Sequence, residues 1–266
     1  MALPLRAPSV LAPALRRPFG LFLNLNGTIA PIAPHPDAAV VLEPARRVLD
    51  QLVKELDLIV VVTGSPVAQA RRMVGVPGII YVGNHGSEGL GEEESGASPA
   101  DSRLWRAAEE AARRLADPEV FLEAKGQAVA IHFRGVRNRR ATRKLLLAAL
   151  HAGAQRRQYR LIEGRCLIEL RPAESRDKGD AVAALLTERG IKGGLYIGDD
   201  ASDVPAFRAV QRLCAAGGFG IAVGVASDEA PTAVADAADF LVEDVEGVVR
   251  ILEWLCGKIA RVSRGR

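Results

Sequence analysis

Leu58–Val62 reads LIVVV, five apolar residues of which four are β-branched. A run this continuous cannot face water on either side, so it predicts a strand buried on both faces, the mark of a parallel sheet covered by helices. The rest of the chain follows from that strand. Leu21–Leu25 is a short run that stops at the turn pair Asn26-Gly27 and reads as a second strand, and Ile79–Val82, Leu195–Ile197, Ile221–Val223 and Phe240–Val242 read as others. Between them lie helical patterns: one opening near Pro44, then Pro66–Val74, Lys178–Arg189 with Asp177 near its N-cap and Gly190 past its end, Asp203–Val210 and Val245–Leu255. The expected class is α/β, a parallel sheet with helices on both faces.

The middle of the chain has another character. Gly91–Pro99 is polar and glycine-containing, a linker by composition, and Arg171-Pro172-Ala173 marks a second boundary. Between them the order helix, strand, strand, helix, strand, strand predicts a small open sheet with helices on one side. The expected division is therefore a core over 19–98 and 173–266, an inserted α/β domain over 99–172, and a flexible N-terminal extension over 1–18. That first stretch carries three arginines and several prolines but no clean hydrophobic segment of a targeting peptide. Residues 100–171 hold 16 Lys and Arg against 8 Asp and Glu, while the whole chain is only +3, so a basic insert sits in an otherwise acidic chain. A site for an anionic ligand is served by that contrast, although Arg137–Lys144 reads as a solvated helix face.

Totals exclude several classes. Aromatic residues are 5% of the chain, which does not indicate a basic, stacking nucleic-acid surface. No apolar run approaches the ~20 residues of a spanning helix, so no membrane association is expected. Cys166, Cys214 and Cys256 are odd in number and far apart, neither a disulfide framework nor a zinc spacing, and a cytoplasmic setting fits them.

Four clusters fall at the carboxyl ends of core strands, where open α/β sheets bind ligands. They are Phe22–Thr28, Val62-Thr63-Gly64, Lys178-Gly179 and Gly198–Asp203. The last sets Asp199, Asp200 and Asp203 within five residues. Such a group suits a hard cation, and it equally suits helix capping.

This set, in this order, resembles the haloacid dehalogenase-like phosphatases, and in detail the trehalose-6-phosphate phosphatases. The resemblance is carried by FLNLNGTIAPI (22–32), YVGNHGSE (81–88), LEAKGQAVAIHFR (122–134), GRCLIELRP (164–172), DKGD (177–180) and YIGDDASDVPAF (196–207). It implies a Rossmann-like core with an inserted α/β cap and Mg²⁺-dependent hydrolysis of trehalose 6-phosphate to trehalose and phosphate. By position it gives residue 24 the nucleophile's place and residue 26 the acid/base place, with Thr63, Gly64 and Lys178 around the phosphoryl group. It puts Mg²⁺ on residue 24, the carbonyl of residue 26 and Asp199, supported by Asp200 and Asp203. His85, Glu88, Glu123, Lys125, Arg134, Arg165, Glu169 and Arg171 match its substrate-binding positions.

The chain departs from that pattern where the chemistry is done. Asn24 and Asn26 stand in place of the two aspartates. An amide oxygen is a poor, uncharged nucleophile, and loss of a catalytic nucleophile costs on the order of 10⁶ in turnover, roughly 8 kcal/mol of barrier. Ser65-Pro66 and Val204-Pro205 replace an arginine and an acidic pair, so the departures extend beyond the two reacting positions. Asn26 precedes Gly27, a context prone to deamidation. Two functions are expected: an impaired phosphatase for trehalose 6-phosphate or another sugar phosphate, or a silent sugar-phosphate-binding regulator, partnered by a trehalose-phosphate synthase or an active phosphatase. His132, flanked by apolar residues on a strand, reads as a core histidine.

Overall fold

Two sheets account for the predicted strands in this computed structural model, which describes residues 2–33, 39–90, 101–125, 128–156, 158–164, 166–227 and 230–264. In chain order the elements are β1 (Leu3–Pro4), β2 (Phe19–Leu23), α1 (Glu43–Leu52), β3 (Leu58–Val62), α2 (Val67–Val74), β4 (Ile80–Val82), α3 (Ser102–Arg113), β5 (Phe121–Lys125), β6 (Ala128–His132), α4 (Arg139–Gln155), β7 (Tyr159–Gly164), β8 (Leu167–Pro172), α5 (Lys178–Glu188), β9 (Gly193–Gly198), α6 (Val204–Gln211), β10 (Phe219–Val225), α7 (Thr232–Ala237), β11 (Phe240–Val242) and α8 (Val245–Arg264). The chain divides into two compact units, Met1–Leu90 with Asp177–Arg266, and Gly91–Arg176. The polar stretch 91–99, expected as a linker, lies outside the described residues.

The first unit is built on a parallel sheet in the order β1-β11-β10-β9-β2-β3-β4. Its central strands are apolar throughout because both faces are covered. Leu21 and Leu23 of β2 and Ile59 and Val61 of β3 join α1, α2 and α8 in one core layer, while Phe22, Val60 and Val62 join α5 and α6 in the other. Burying a side chain of this kind contributes ~1.5–3 kcal/mol, so the double-sided strands are the main stabilising feature of the unit. The register Leu23↔Val61 and Leu23↔Ile197 brings the carboxyl ends of β9, β2 and β3 side by side.

The expectation of a flexible extension over residues 1–18 is corrected by the structure. Leu3 and Pro4 pair with Phe240 and Leu241 as an edge strand. Pro8–Ala14 forms a 3-10 turn that buries Leu11 and Ala14 completely. The prolines suit a sheet edge and a tight turn, which leave their missing N–H groups unneeded.

The second unit is an antiparallel sheet in the order β5-β6-β8-β7 with α3 and α4 on one side. Val129, Ile131, Ile168 and Leu170 pack with Leu104, Ala108, Leu146 and Leu150 of the helices. Since side chains alternate along a strand, Glu123, Lys125, His132, Glu169 and Arg171 stand on the opposite face.

Candidate functional site

In the first unit the site begins where β2 ends. Asn24 N continues the ladder by donating to Ile197 O at 2.9 Å, which fixes the side chain at the strand end. Gly27 then turns the chain at φ +85°, and a Cβ there would lie 2.1 Å from Asp199 Oδ2. The glycine is required both for the left-handed backbone and for the approach of the carboxylate. G27A is therefore expected to destabilise the protein by about 1–3 kcal/mol, read as a lower midpoint of urea unfolding. An unchanged midpoint would contradict this placement.

Asp199 follows β9 and is 1% exposed. Its Oδ1 accepts from Asn24 Nδ2 at 2.7 Å and from Thr28 Oγ1 at 2.9 Å. Asn24 Nδ2 also donates to the carbonyl of Asn26 at 3.2 Å, and Asn24 Oδ1 accepts from Lys178 Nζ at 3.1 Å. The partners orient the amide: an ammonium only donates, so it meets the oxygen, and a carboxylate accepts from the nitrogen.

Lys178 is the first residue of α5. Asp177 and Asp180 close a reciprocal capping box at 3.0 Å each way, which sets the start of that helix. A cation at a helix N-terminus opposes the helix dipole. Asp203 offsets this, accepting from Lys178 Nζ at 2.7 Å with both side chains 2% exposed or less. Asp203 Oδ1 also accepts from the Tyr196 hydroxyl at 2.7 Å, and Oδ2 accepts from the Asp199 and Asp200 backbone amides at 3.0 Å. Burial, with the charges of Asp203 and Asp199, pushes the Tyr196 phenol well above its ordinary range, so it stays a donor.

Thr63 sits just past β3, one strand over from Asn24, with its hydroxyl accepting from Ser65 N at 3.1 Å. The loop after it is braced by the Asn84–Glu88 segment. His85 N donates to Thr63 O, and a Cβ on Gly64 would lie 2.5 Å from His85 Nε2. Glu88 Oε2 accepts from Val67 N at 3.1 Å, at the start of α2, and from Asn84 Nδ2 at 2.7 Å. A Cβ on Gly86 would meet Asp177 O at 2.4 Å, so the same segment also abuts the turn that presents Lys178. Glu88 and the His85 backbone thus brace the two motif loops.

The structure thus brings Asn24, Asn26, Thr28, Lys178, Asp199 and Asp203 together, with Thr63 and Gly64 on the neighbouring strand end. Asp203 is placed as a partner of Lys178 and of two backbone amides. Asp200 caps the turn that follows it, accepting from Ala201 N at 2.8 Å. Asn26 is half-buried, and its Oδ1 is enclosed with no hydrogen-bond partner among the described residues. Gly27 N donates to Ala30 O at 2.7 Å. Deamidation of Asn26 needs that nitrogen as attacker, so the turn opposes the reaction its sequence invites.

A divalent cation at the position the resemblance implies would have to lie among oxygens of residue 24, residue 26 and Asp199. Here the side chain of residue 24 meets the other two through an N–H donor. Among the described residues no group of three or more His, Cys, Asp and Glu is gathered as a metal site. The residues present do not fit a resident Mg²⁺, a hard cation that takes oxygen ligands.

The second unit carries an alternating series on the sheet face away from its helices. Arg171 Nε lies 3.5 Å from Glu169 Oε1, Lys125 Nζ is 3.9 Å from Glu169 and 3.6 Å from Glu123, and His132 Nε2 is 2.7 Å from Glu123 Oε2. The cross-strand row Glu123↔Ala130↔Glu169 explains the lysine's reach, since a small alanine separates the two carboxylates. His132 also stacks on Phe121, ring centroids 4.7 Å apart. Buried and hydrogen-bonded to Glu123, it is the satisfied histidine that its apolar flanks predict. Its cross-strand partner is Phe121, a pairing the sequence does not display. Arg134 follows β6, its carbonyl accepting from Arg139 Nε at 3.0 Å, and Arg165 lies outside the described residues.

Burial pushes the Glu123 carboxyl up, but the His132 hydrogen bond and the Lys125 charge outweigh it and hold the group below its ordinary range. A folded-state value below the unfolded one contributes stability above the usual glutamate range and loses it as pH falls through the lowered value. The Tm difference between the unaltered chain and E123Q is thus expected at pH 7 and to shrink as the pH falls below the usual glutamate range. A difference that persists in acid would contradict the assignment.

The trehalose-phosphatase family profile matches residues 22–244. A trehalose-phosphate phosphatase of Mycobacterium tuberculosis is 34% identical over 201 residues, 71% of this chain and 51% of that protein. The chain thus spans about half the length of the mycobacterial relatives it matches. A probable trehalose-phosphate phosphatase of Sinorhizobium fredii is 32% identical over 247 residues, 89% of this chain and 88% of that one. In fold, the C-terminal domain of C. albicans trehalose-6-phosphate phosphatase is similar with a TM-score of 0.81 at 20% identity, covering 97% of this chain and 98% of that one. With most of its length matched by the profile and with relatives above 30% identity, the chain belongs to the trehalose-phosphatase family.

Proposed function

We propose that this chain binds a disaccharide phosphate, trehalose 6-phosphate first among the candidates, and holds the ester without hydrolysing it. The observation that carries this is the state of residue 24. Its oxygen is an amide oxygen bonded to Lys178 and its nitrogen is bonded to Asp199 and Asn26, so the position holds no nucleophile. In this reading Lys178 and the Thr63 hydroxyl, with the Gly64 backbone, take the phosphoryl oxygens. The enclosed Asn26 Oδ1 accepts from a ligand hydroxyl, a donor that this acceptor lacks among the described residues.

The second unit, in this reading, is the cap that selects the sugar. Carboxylates accept hydrogen bonds from sugar hydroxyls and Lys125 donates to them. The Arg171, Glu169, Lys125 and Glu123 series, with separations of 3.5–3.9 Å, alternates donors and acceptors along one sheet face, a pattern that suits the hydroxyls of a sugar. Phosphatases of this superfamily in general use Mg²⁺, and in this chain the donor set does not call for it. A regulatory role beside an active phosphatase or a trehalose-phosphate synthase, in a reducing cytosol that keeps the three cysteines as thiols, completes the proposal. Among the described residues no helix is long and apolar enough to cross a membrane.

Family membership favours a second reading, turnover of the same ester. Calorimetric titration separates the two when paired with a phosphate-release assay. Binding of trehalose 6-phosphate, weaker binding of trehalose, and phosphate release at background support the first. Release well above background establishes the second.

A further inference from the structure

The contact between Asn24 and Asp199 says more than that a nucleophile is missing. Asn24 Nδ2 carries two hydrogens, and both have acceptors: Asp199 Oδ1 at 2.7 Å and Asn26 O at 3.2 Å. The side chain is 5% exposed, and its oxygen is held by Lys178. A positively polarised N–H₂ group thus lies between two oxygens that would otherwise face each other in a buried site. Thr28 Oγ1 adds a second donor to the same oxygen of Asp199.

We propose that the Asn24 amide nitrogen takes the place of a divalent cation, so that this centre is assembled and held without metal. The proposal deepens the proposed function, because it makes recognition at the site metal-independent, but its physical basis is the protein alone. A carboxylate at position 24 would put a second negative oxygen within hydrogen-bond distance of Asp199. Two carboxylates that close cannot both ionise unless a cation lies between them or they share a proton. The amide removes the repulsion and supplies the bridge in one group. Exchange of amide for carboxylate at residue 24 is then a switch between a self-sufficient centre and a metal-dependent one.

The test uses the full chain with no sugar phosphate present. For the unaltered protein, Mn²⁺ titrated against its paramagnetic resonance signal is expected to show no saturable site at this centre, and Tm is expected to be the same in chelator and in Mg²⁺. For N24D, Mn²⁺ is expected to bind at least about 10–100-fold more tightly, the scale that even outer-shell partners of a metal command. N24D is also expected to lose roughly 6–12 °C of Tm in chelator, regained with Mg²⁺. Should N24D not fold, crystals of the unaltered chain soaked in Mn²⁺ decide the matter: absence of an anomalous peak between Asn26 O and Asp199 supports the proposal, and a peak there overturns it. Equal Mn²⁺ affinity in the two proteins, or a chelator-sensitive Tm in the unaltered one, overturns it as well. None of these readouts depends on sugar-phosphate binding, so failure here is distinguishable from failure of the proposed function.

Discussion

The double variant N24D/N26D, assayed with trehalose 6-phosphate and Mg²⁺, is expected to release phosphate on the order of 10⁴–10⁶ faster than the unaltered chain. The reason is local. Position 24 already lies at the end of β2, 3.1 Å from Lys178 and one strand away from Thr63, so a carboxylate placed there is positioned rather than merely introduced. Position 26 lies two residues on, at the turn, with a side-chain oxygen that has no partner among the described residues. A gain near the lower end would identify Ser65, Pro66, Val204 and Pro205 as further losses: Pro205 packs where a Cβ on Gly179 would lie 2.6 Å from its carbonyl oxygen, directly beside Lys178. No gain would contradict the view that chemistry stopped at these two residues.

Replacing Lys178 by methionine is the second large effect. The substitution keeps the length of the side chain but leaves Asp203, which is fully buried, without its cation. Breaking a buried pair on one side costs ~3–5 kcal/mol. A loss of ~3 kcal/mol is expected here, at the lower end of that range, because the Tyr196 hydroxyl and two backbone amides still donate to Asp203. Denaturant unfolding measures it. D203N in the K178M background is expected to return part of the loss, since it removes the stranded charge. A loss below about 1 kcal/mol, the range of exposed pairs, would mean the pair is solvated.

Much of this architecture was legible in apolar runs. Leu58–Val62 occupies the strand its β-branched residues predict, because a strand buried on both faces leaves little alternative. The strand-end positions of Asn24, Thr63 and Asp199 follow from the same runs. Residues 2–18 were not legible, since proline density reads as looseness until a sheet edge and an apolar floor are available to take it. α8 continues to Arg264, past the expected end at Leu255, with Ile259 still in the core layer.

Within the site, sequence spacing showed which strand end each group occupies and not which atom it meets. Asp199, Asp200 and Asp203 look alike in the sequence. In the fold the first meets Asn24, the second caps a turn, and the third neutralises a lysine 25 residues away. The contacts of Glu88 with the backbone of α2 and of His85 with the Gly64 turn are not displayed by their motif. The partners of His132 depend on cross-strand register, which periodicity alone does not supply.

One measurement bears on the central claim without any variant: a phosphorus NMR time course of trehalose 6-phosphate with the unaltered chain, in chelator and in Mg²⁺. The account predicts that the phosphate-ester resonance shifts and broadens on binding in both conditions, while no inorganic phosphate resonance grows. An ester resonance unmoved by the protein, or one replaced by inorganic phosphate at a rate proportional to protein concentration, would contradict it.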